Sequence, residues 1–344
     1  MNDMKKLFET MRDALARGED AVLCTIIASS GSTPRGSGAK MAVFAGGKTC
    51  GTIGGGAVEH ESILLAQQAL LRRETFAQGF NLAPNQVADI GMICGGKVVV
   101  AFSFFAGGDA EALALFTYIA GLFDVQKDTW LVTKICDGAA VDMGVYARDT
   151  GLLFAKDIPE AAILPLLGPR AARGEGEPCY YVEPLTRAGI VYVFGGGHVS
   201  QELVPVLAHV GFSVAVYEER ERFAAPELFP GAVRTIMAPF SEASARTGIT
   251  PEDYAVIMTR GHQGDFVVLE QMLRTEATYI GVIGSRHKIA ATNARLLAAG
   301  IPEEALARIH TPIGLAIGAE TPAEIAISVA AELIAHRAGI RKGE

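Results

Sequence analysis

Polar and apolar positions alternate in two different rhythms along the chain. Residues 3–17 set Leu7, Phe8, Met11, Ala14 and Leu15 three and four apart among charged neighbours, which predicts an amphipathic helix. The run Ala21–Ser29 (AVLCTIIAS) is almost unbroken in apolar character and predicts a buried strand. Ala39–Phe44 predicts a second strand, Gly46-Gly47 a hairpin turn, and Lys48–Ile53 a return segment. A helix is expected from about Ala57 to Arg73, a buried strand over Lys97–Phe105 and a helix over 110–122. Short strands are expected over 130–155, with a turn at Arg148–Gly151. This half reads as an α+β unit.

The rhythm changes after Leu167–Pro178, whose density of Gly, Pro and Arg predicts a loop or linker. Strands Ile190–Phe194, Ser213–Glu218, Tyr254–Thr259 and Tyr279–Gly284 then alternate with helices over 198–210, 265–275 and 286–299. That alternation predicts βαβ units in a doubly wound, Rossmann-like parallel sheet. Thr321-Pro-Ala-Glu324 carries a capping box with Pro at the first helical position, so a last helix starts there. The expected division is an α+β domain over 1–185 and a Rossmann-like α/β domain over 186–344. No internal repeat is visible.

Bulk properties exclude several classes. The chain has 344 residues, half of them hydrophobic, enough for about two cored domains. Its net charge of −8 argues against nucleic acid as a partner, because no basic field is available. No apolar run of about 18 residues predicts a membrane span, and the N-terminal segment lacks the apolar core of a signal peptide. The five cysteines have no zinc-site spacing, so a reduced, cytoplasmic setting is the expectation.

Candidate chemistry gathers around two glycine triplets. In VYVFGGGHVS, a strand leads into Gly195, expected to make the sharp turn. Gly197 is expected to let a phosphate approach the backbone, and Ser200 is small enough for helix–strand packing. Glu218 and Glu219, at the end of the next strand, offer an acid to accept ribose hydroxyls, which would favour NAD over NADP; the domain can equally be a retained scaffold. His198 opens the following helix and either faces the crevice or packs on its own turn. Arg260, His262, Asp265, Ser285 and Arg286 follow strand ends and are expected at the same crevice, with helix capping as the alternative for Asp265.

The first triplet, GTIGGGAVEH, has no βαβ context. Gly54, Gly55 and Gly56 predict positive φ and outward N–H groups, an anion nest at a helix start or else a tight structural turn. Ser32, Arg35 and Lys40 in SSGSTPRGSGAKM are expected to supply a hydroxyl, a planar fork and a point charge to a phosphate or pterin-like ring. Glu59 either contacts a ligand or stabilises the helix start. Cys94, in MICGG, is either a reactive thiol and metal contact or a small core residue.

These segments in order resemble the XdhC/CoxI family, the accessory factors of xanthine dehydrogenase and related molybdenum hydroxylases. The resemblance rests on GSTPRGSGAKM, GTIGGGAVEHE, MICGG, VFGGGHVSQEL, YEERERF, TRGHQGD, YIGVIGSRHK and IHTPIGLAIGAETPAEIA, and covers nearly the whole chain. The family commonly has Ala within the second triplet and Gly where Ser200 stands. The resemblance implies a cytoplasmic factor, not a turnover enzyme. Such a factor binds the molybdenum cofactor (molybdopterin), shields it while a cysteine desulfurase supplies its sulfido ligand, and hands it to an apo-hydroxylase. It further implies that the first cradle, Arg35 and Lys40 take the pterin phosphate, that Cys94 touches the metal, and that the Rossmann half takes a nucleotide. A homodimer fits the need to enclose such a cargo. The competing reading is an NAD-dependent oxidoreductase.

Overall fold

The computed structural model describes residues 3–30, 36–81, 96–125, 127–284 and 286–340, apart from the side chains of 262 and 286–291. The chain forms two compact units, Met1–Arg187 and Ala188–Glu344.

Unit 1 contains two antiparallel five-stranded sheets. The first is built from β1 (Ala21–Ser30), β2 (Lys40–Phe44), β3 (Thr49–Thr52), β4 (Phe76–Asn81) and β5 (Lys97–Phe105), in the order β3-β2-β1-β5-β4. The second is built from β6 (Thr129–Cys136), β7 (Ala139–Ala147), β8 (Gly151–Leu153), β9 (Ala172–Arg173) and β10 (Cys179–Thr186), in the order β8-β7-β6-β10-β9. Taken in chain order, the two sheets have the same topology. The helices repeat as well. α1 (Asp3–Ala16) precedes the first meander and α2 (Gly56–Arg72) follows it, while α3 (Ala110–Leu122) and the one-turn α4 (Glu160–Ile163) bracket the second. Unit 1 is therefore a topological duplication that the sequence does not display.

Packing follows from the alternation of side chains along a strand. On β1, Ala21 and Leu23 face α1 and α3, whereas Val22, Cys24 and Ile26 face α2. Both faces are buried, which is why the run is continuously apolar. α1 and α3 pack on residues of both sheets, with Phe8 stacked on Phe116 at 6.0 Å and Leu131 and Val145 closing the cluster. The sheets are also tied directly, since the Tyr181 hydroxyl on β10 donates to the Ile26 carbonyl on β1 at 3.3 Å. Residues 167–178, expected to be a loop or linker, lie inside unit 1. They carry β9, which pairs with β10, and Gly168, whose carbonyl accepts from the Trp130 indole at 3.0 Å.

Unit 2 is one six-stranded parallel sheet. Its strands are β11 (Ile190–Phe194), β12 (Ser213–Glu218), β13 (Arg234–Met237), β14 (Tyr254–Ile257), β15 (Tyr279–Val282) and β16 (Ile309–His310). The order β13-β12-β11-β14-β15-β16 is the Rossmann order, with its reversal point between β11 and β14. α5 (His198–His209) and α10 (Pro322–Arg337) cover one face. α6 (Ala243–Thr247), α7 (His262–Leu273) and α8 (Arg286–Ala298) cover the other, and the single-turn α9 (Glu303–Leu306) follows. Thr321 caps α10 as its sequence predicts, reciprocally with Glu324. β13, a short edge strand, has no signal in the pattern.

Candidate functional site

The first glycine bend joins β3, an edge strand, to α2. Gly54, Gly55 and Gly56 all have positive φ, which accounts for three successive glycines. The bend is filled from within. One carboxylate oxygen of Glu59 accepts from the Ile53 amide at 2.9 Å, the Gly55 amide at 3.0 Å and the Thr52 hydroxyl, while the Gly54 amide is bonded to the Thr52 oxygen at 3.0 Å. Burial pushes the Glu59 carboxyl up, but the hydrogen bonds from Thr52 and then from Gly55 and Ile53 outweigh it and leave it below the usual range. Of the nest expected to face outward over Gly54–Gly56, the Gly55 amide is taken by the helix's own Glu59 and the Gly54 amide by Thr52.

The second bend is filled in the same manner from a different direction. Gly195 has φ 105, and its amide donates to the Tyr217 carbonyl at 2.8 Å. A Cβ at Gly195 would lie 2.3 Å from the Met258 carbonyl oxygen, and one at Gly196 only 2.0 Å from that of Phe223, so both glycines are packing requirements. At Gly197 a Cβ would meet nothing within 4 Å. Glu218 is fully buried and accepts from the Gly196 amide at 2.8 Å. The Arg220 guanidinium grips both of its oxygens, at 2.9 and 2.8 Å, and the Glu219 and Arg220 amides add further bonds. Burial raises the Glu218 carboxyl, and Arg220 and Gly196 more than reverse it, leaving it below the usual range. This corrects the ribose role expected of Glu218, whose acceptor sites are spent inside the protein.

Of the other predicted positions of unit 2, His198, Arg260, His262 and Asp265 follow β11 and β14, the strands of the reversal point, and Arg286 follows β15, one strand further out. His198 is exposed at the first residue of α5, and Arg260 is exposed beyond β14, next to Gly261 at the N-cap of α7. Asp265 ties strand end to helix, one oxygen accepting from the Thr259 amide at 2.9 Å and its hydroxyl at 2.7 Å. His262 and Arg286 open α7 and α8; their side chains are not described. Ser32, Arg35, Cys94 and Ser285 lie outside the described residues, so the expected metal contact at Cys94 does too. Among the described residues no group of three His, Cys, Asp or Glu side chains could hold a metal ion, and no helix is long and apolar enough to cross a membrane.

Lys40 is not a solvated point charge. It is buried at the start of β2 in an ion pair with Glu183 of β10, joining the two halves of the duplication. Burial drives the Lys40 ammonium down and the Glu183 carboxyl up, each toward its neutral form, against their mutual attraction. The pair lines a cavity of about 1250 Å³ in unit 1, bounded by α1, β2, β3 and β10. Lys6 and Arg170 are exposed cations on its lining, and Cys50, Thr10 and Thr52 add polar groups. Glu183 escaped the sequence reading. The available signal was an acid within an otherwise strand-like run, Cys179–Leu185. Glu332 escaped it too: buried on α10, it accepts from the Gly314 amide and stands 3.1 Å from Nδ1 of His310.

Comparison with known proteins gives this arrangement a family. The model described as "XdhC and CoxI family" matches residues 14–79, and that described as "XdhC Rossmann domain" matches residues 191–333. The chain belongs to the XdhC/CoxI family. A Bacillus subtilis (strain 168) protein named as a probable xanthine dehydrogenase subunit is 28% identical over 351 residues, covering 96% of this chain and 97% of its own length. The Escherichia coli K12 protein named "Uncharacterized protein YqeB" is 28% identical over 313 residues, covering 91% of this chain; the chain spans 42% of that relative's length. A crystal structure from Bacillus halodurans, described as a xanthine dehydrogenase, superposes with a TM-score of 0.79 at 25% identity, covering 100% of this chain and 97% of that one.

Proposed function

We propose that the protein is an accessory factor of a xanthine dehydrogenase system. In this reading it binds the molybdenum cofactor as cargo, shields it during sulfuration and delivers it to an apo molybdenum hydroxylase, with a cysteine desulfurase as sulfur donor. The observation that carries the reading is family membership through both units, joined to a large cavity in unit 1. Cytoplasmic location and a homodimer that encloses the cargo belong to the same proposal.

The chain's own groups suit holding more than turnover. The cavity offers exposed cations, Lys6 and Arg170, for a phosphate, while a buried ion pair offers hydrogen bonds to a ring. The oxidoreductase reading has lost one of its two ribose acceptors, because Glu218 is bound to Gly196 and Arg220, and would depend on the exposed Glu219. A nucleotide at the open Gly197 remains part of the proposal, with the phosphate drawn to the start of α5.

The test is to purify the full chain from cells that make molybdenum cofactor and to quantify released pterin, molybdenum and nucleotide by mass spectrometry. The expected result is pterin approaching one equivalent per chain. Bound NAD without pterin, together with hydride exchange from NADH, would replace this reading with the oxidoreductase one.

A further inference from the structure

Among the described residues, the buried pair on the cavity wall leaves hydrogen-bonding capacity to spare. The Lys40 side chain is 1% exposed and that of Glu183 is 7% exposed. An ammonium has three donors and a carboxylate about four acceptor sites. Among the described residues, the hydrogen bond of either head group is the one from Nζ to Oε1. Glu183 Oε2 stands over Gly38, where a Cβ would come within 3.0 Å of it, so the glycine keeps that oxygen's surroundings open. Both residues line the cavity. A buried pair whose remaining sites the described residues leave unfilled contributes little to stability, since desolvation offsets its attraction. The arrangement makes physical sense when a ligand fills those sites.

The ligand's chemistry follows from the pair. Together the two groups are neutral, so a phosphate placed against them would meet the Glu183 carboxylate as well as the Lys40 ammonium. A neutral polar edge suits them better, one presenting a carbonyl beside two N–H donors. We propose that Lys40 and Glu183 recognise the O4, N3–H and 2-amino edge of a 2-amino-4-oxopyrimidine ring, the ring shared by pterins and guanine. Glu183 accepts from N3–H and the 2-amino group, and Lys40 donates to O4. This inference rests on the cofactor-binding reading and narrows it to one end of the cargo and one place in the chain. It moves Lys40 from the phosphate to the ring.

The test is a fluorescence titration of the full chain with 6-hydroxymethylpterin, and with 6-hydroxymethyllumazine, which carries a carbonyl in place of the 2-amino group. Pterin should bind at least about tenfold more tightly, because lumazine sets an oxygen against a buried carboxylate. The double variant Lys40→Met/Glu183→Leu, which leaves no unpaired charge, should bind both weakly and without preference; its thermal melt establishes that it is folded. Guanosine separates the two sources of the edge: competition with pterin assigns the pocket to a guanine base, and absence of competition assigns it to the pterin. Equal binding of pterin and lumazine by the wild-type chain, or a preference that survives in the folded double variant, overturns the inference. A chain that co-purifies with molybdopterin yet shows no pterin preference loses this inference alone. A chain with the preference that never carries molybdopterin loses the delivery reading alone.

Discussion

The bend at Gly54–Gly56 connects an antiparallel edge strand to a helix, and a glutamate from that helix's first turn fills it. The bend at Gly195–Gly197 sits at the centre of a parallel sheet, and a glutamate from the neighbouring strand fills it. Glu59 is half-buried and held by amides and a hydroxyl. Glu218 is fully buried and clamped by a guanidinium as well. Glycine triplets with the same letters thus end in the same local chemistry, an amide cluster meeting an internal carboxylate, at different depths. A run of glycines shows that amides are gathered; it does not show whose anion they receive.

Removal of the deeper glutamate should be the severest test of that contrast. Glu218→Ala strands Arg220 and the Gly196 amide, and is expected to cost about 3–5 kcal/mol in urea unfolding. A loss below about 1 kcal/mol would mean that the clasp is not formed in solution. Next comes Gly196→Ala, which drives a methyl into the Phe223 carbonyl and should cost about 3 kcal/mol. Gly197→Ala, in open space, should stay within about 0.5 kcal/mol. Equal effects at the two positions would contradict the packing assigned to the second bend. Glu59→Gln keeps the shape and weakens the charge-assisted bonds, for about 1–2 kcal/mol.

The smallest effect is in pH dependence. Glu59 and Glu218 both titrate lower in the folded chain than unfolded. Their contribution is therefore complete above the unfolded value, about 4.3, and is lost as pH falls through the lower folded values. Glu59→Gln should flatten the acid limb of a stability–pH curve slightly and Glu218→Gln more. An unchanged limb in both would remove the carboxylates from the two bends. Glu183, raised by burial, acts in the opposite sense and does not share in that acid loss.

Much of the architecture was legible because it depends on local patterns. The α1 stripe, the continuous β1 run, the βαβ alternation of unit 2 and the Thr321 capping box each declare themselves within about 30 residues. Long-range pairing was not legible. The duplicated strand order of unit 1 escaped notice because its repeats differ in length: α2 has 17 residues where α4 has 4. Residues 167–178 looked like a linker because a two-residue strand leaves almost no periodic signal. Lys40 and Glu183 are 143 residues apart, and nothing near either names the other. Glu59 and Glu218 were visible as candidates, but the sequence could not say that their partners would be the very amides they were expected to leave open. Ser32 and Ser285 remain proposals from the sequence pattern, and Arg35 and Cys94 from the pattern and the family resemblance together.

The most direct test of the account is a crystal structure of the full chain isolated with its cargo bound. Ring density is expected against Lys40 and Glu183 in the unit 1 cavity, with Glu59 still on the Ile53 and Gly55 amides and Glu218 still on Gly196. Cargo phosphate seated on the amides of residues 53–55, with Glu59 swung away and the Lys40–Glu183 wall bare, would contradict it.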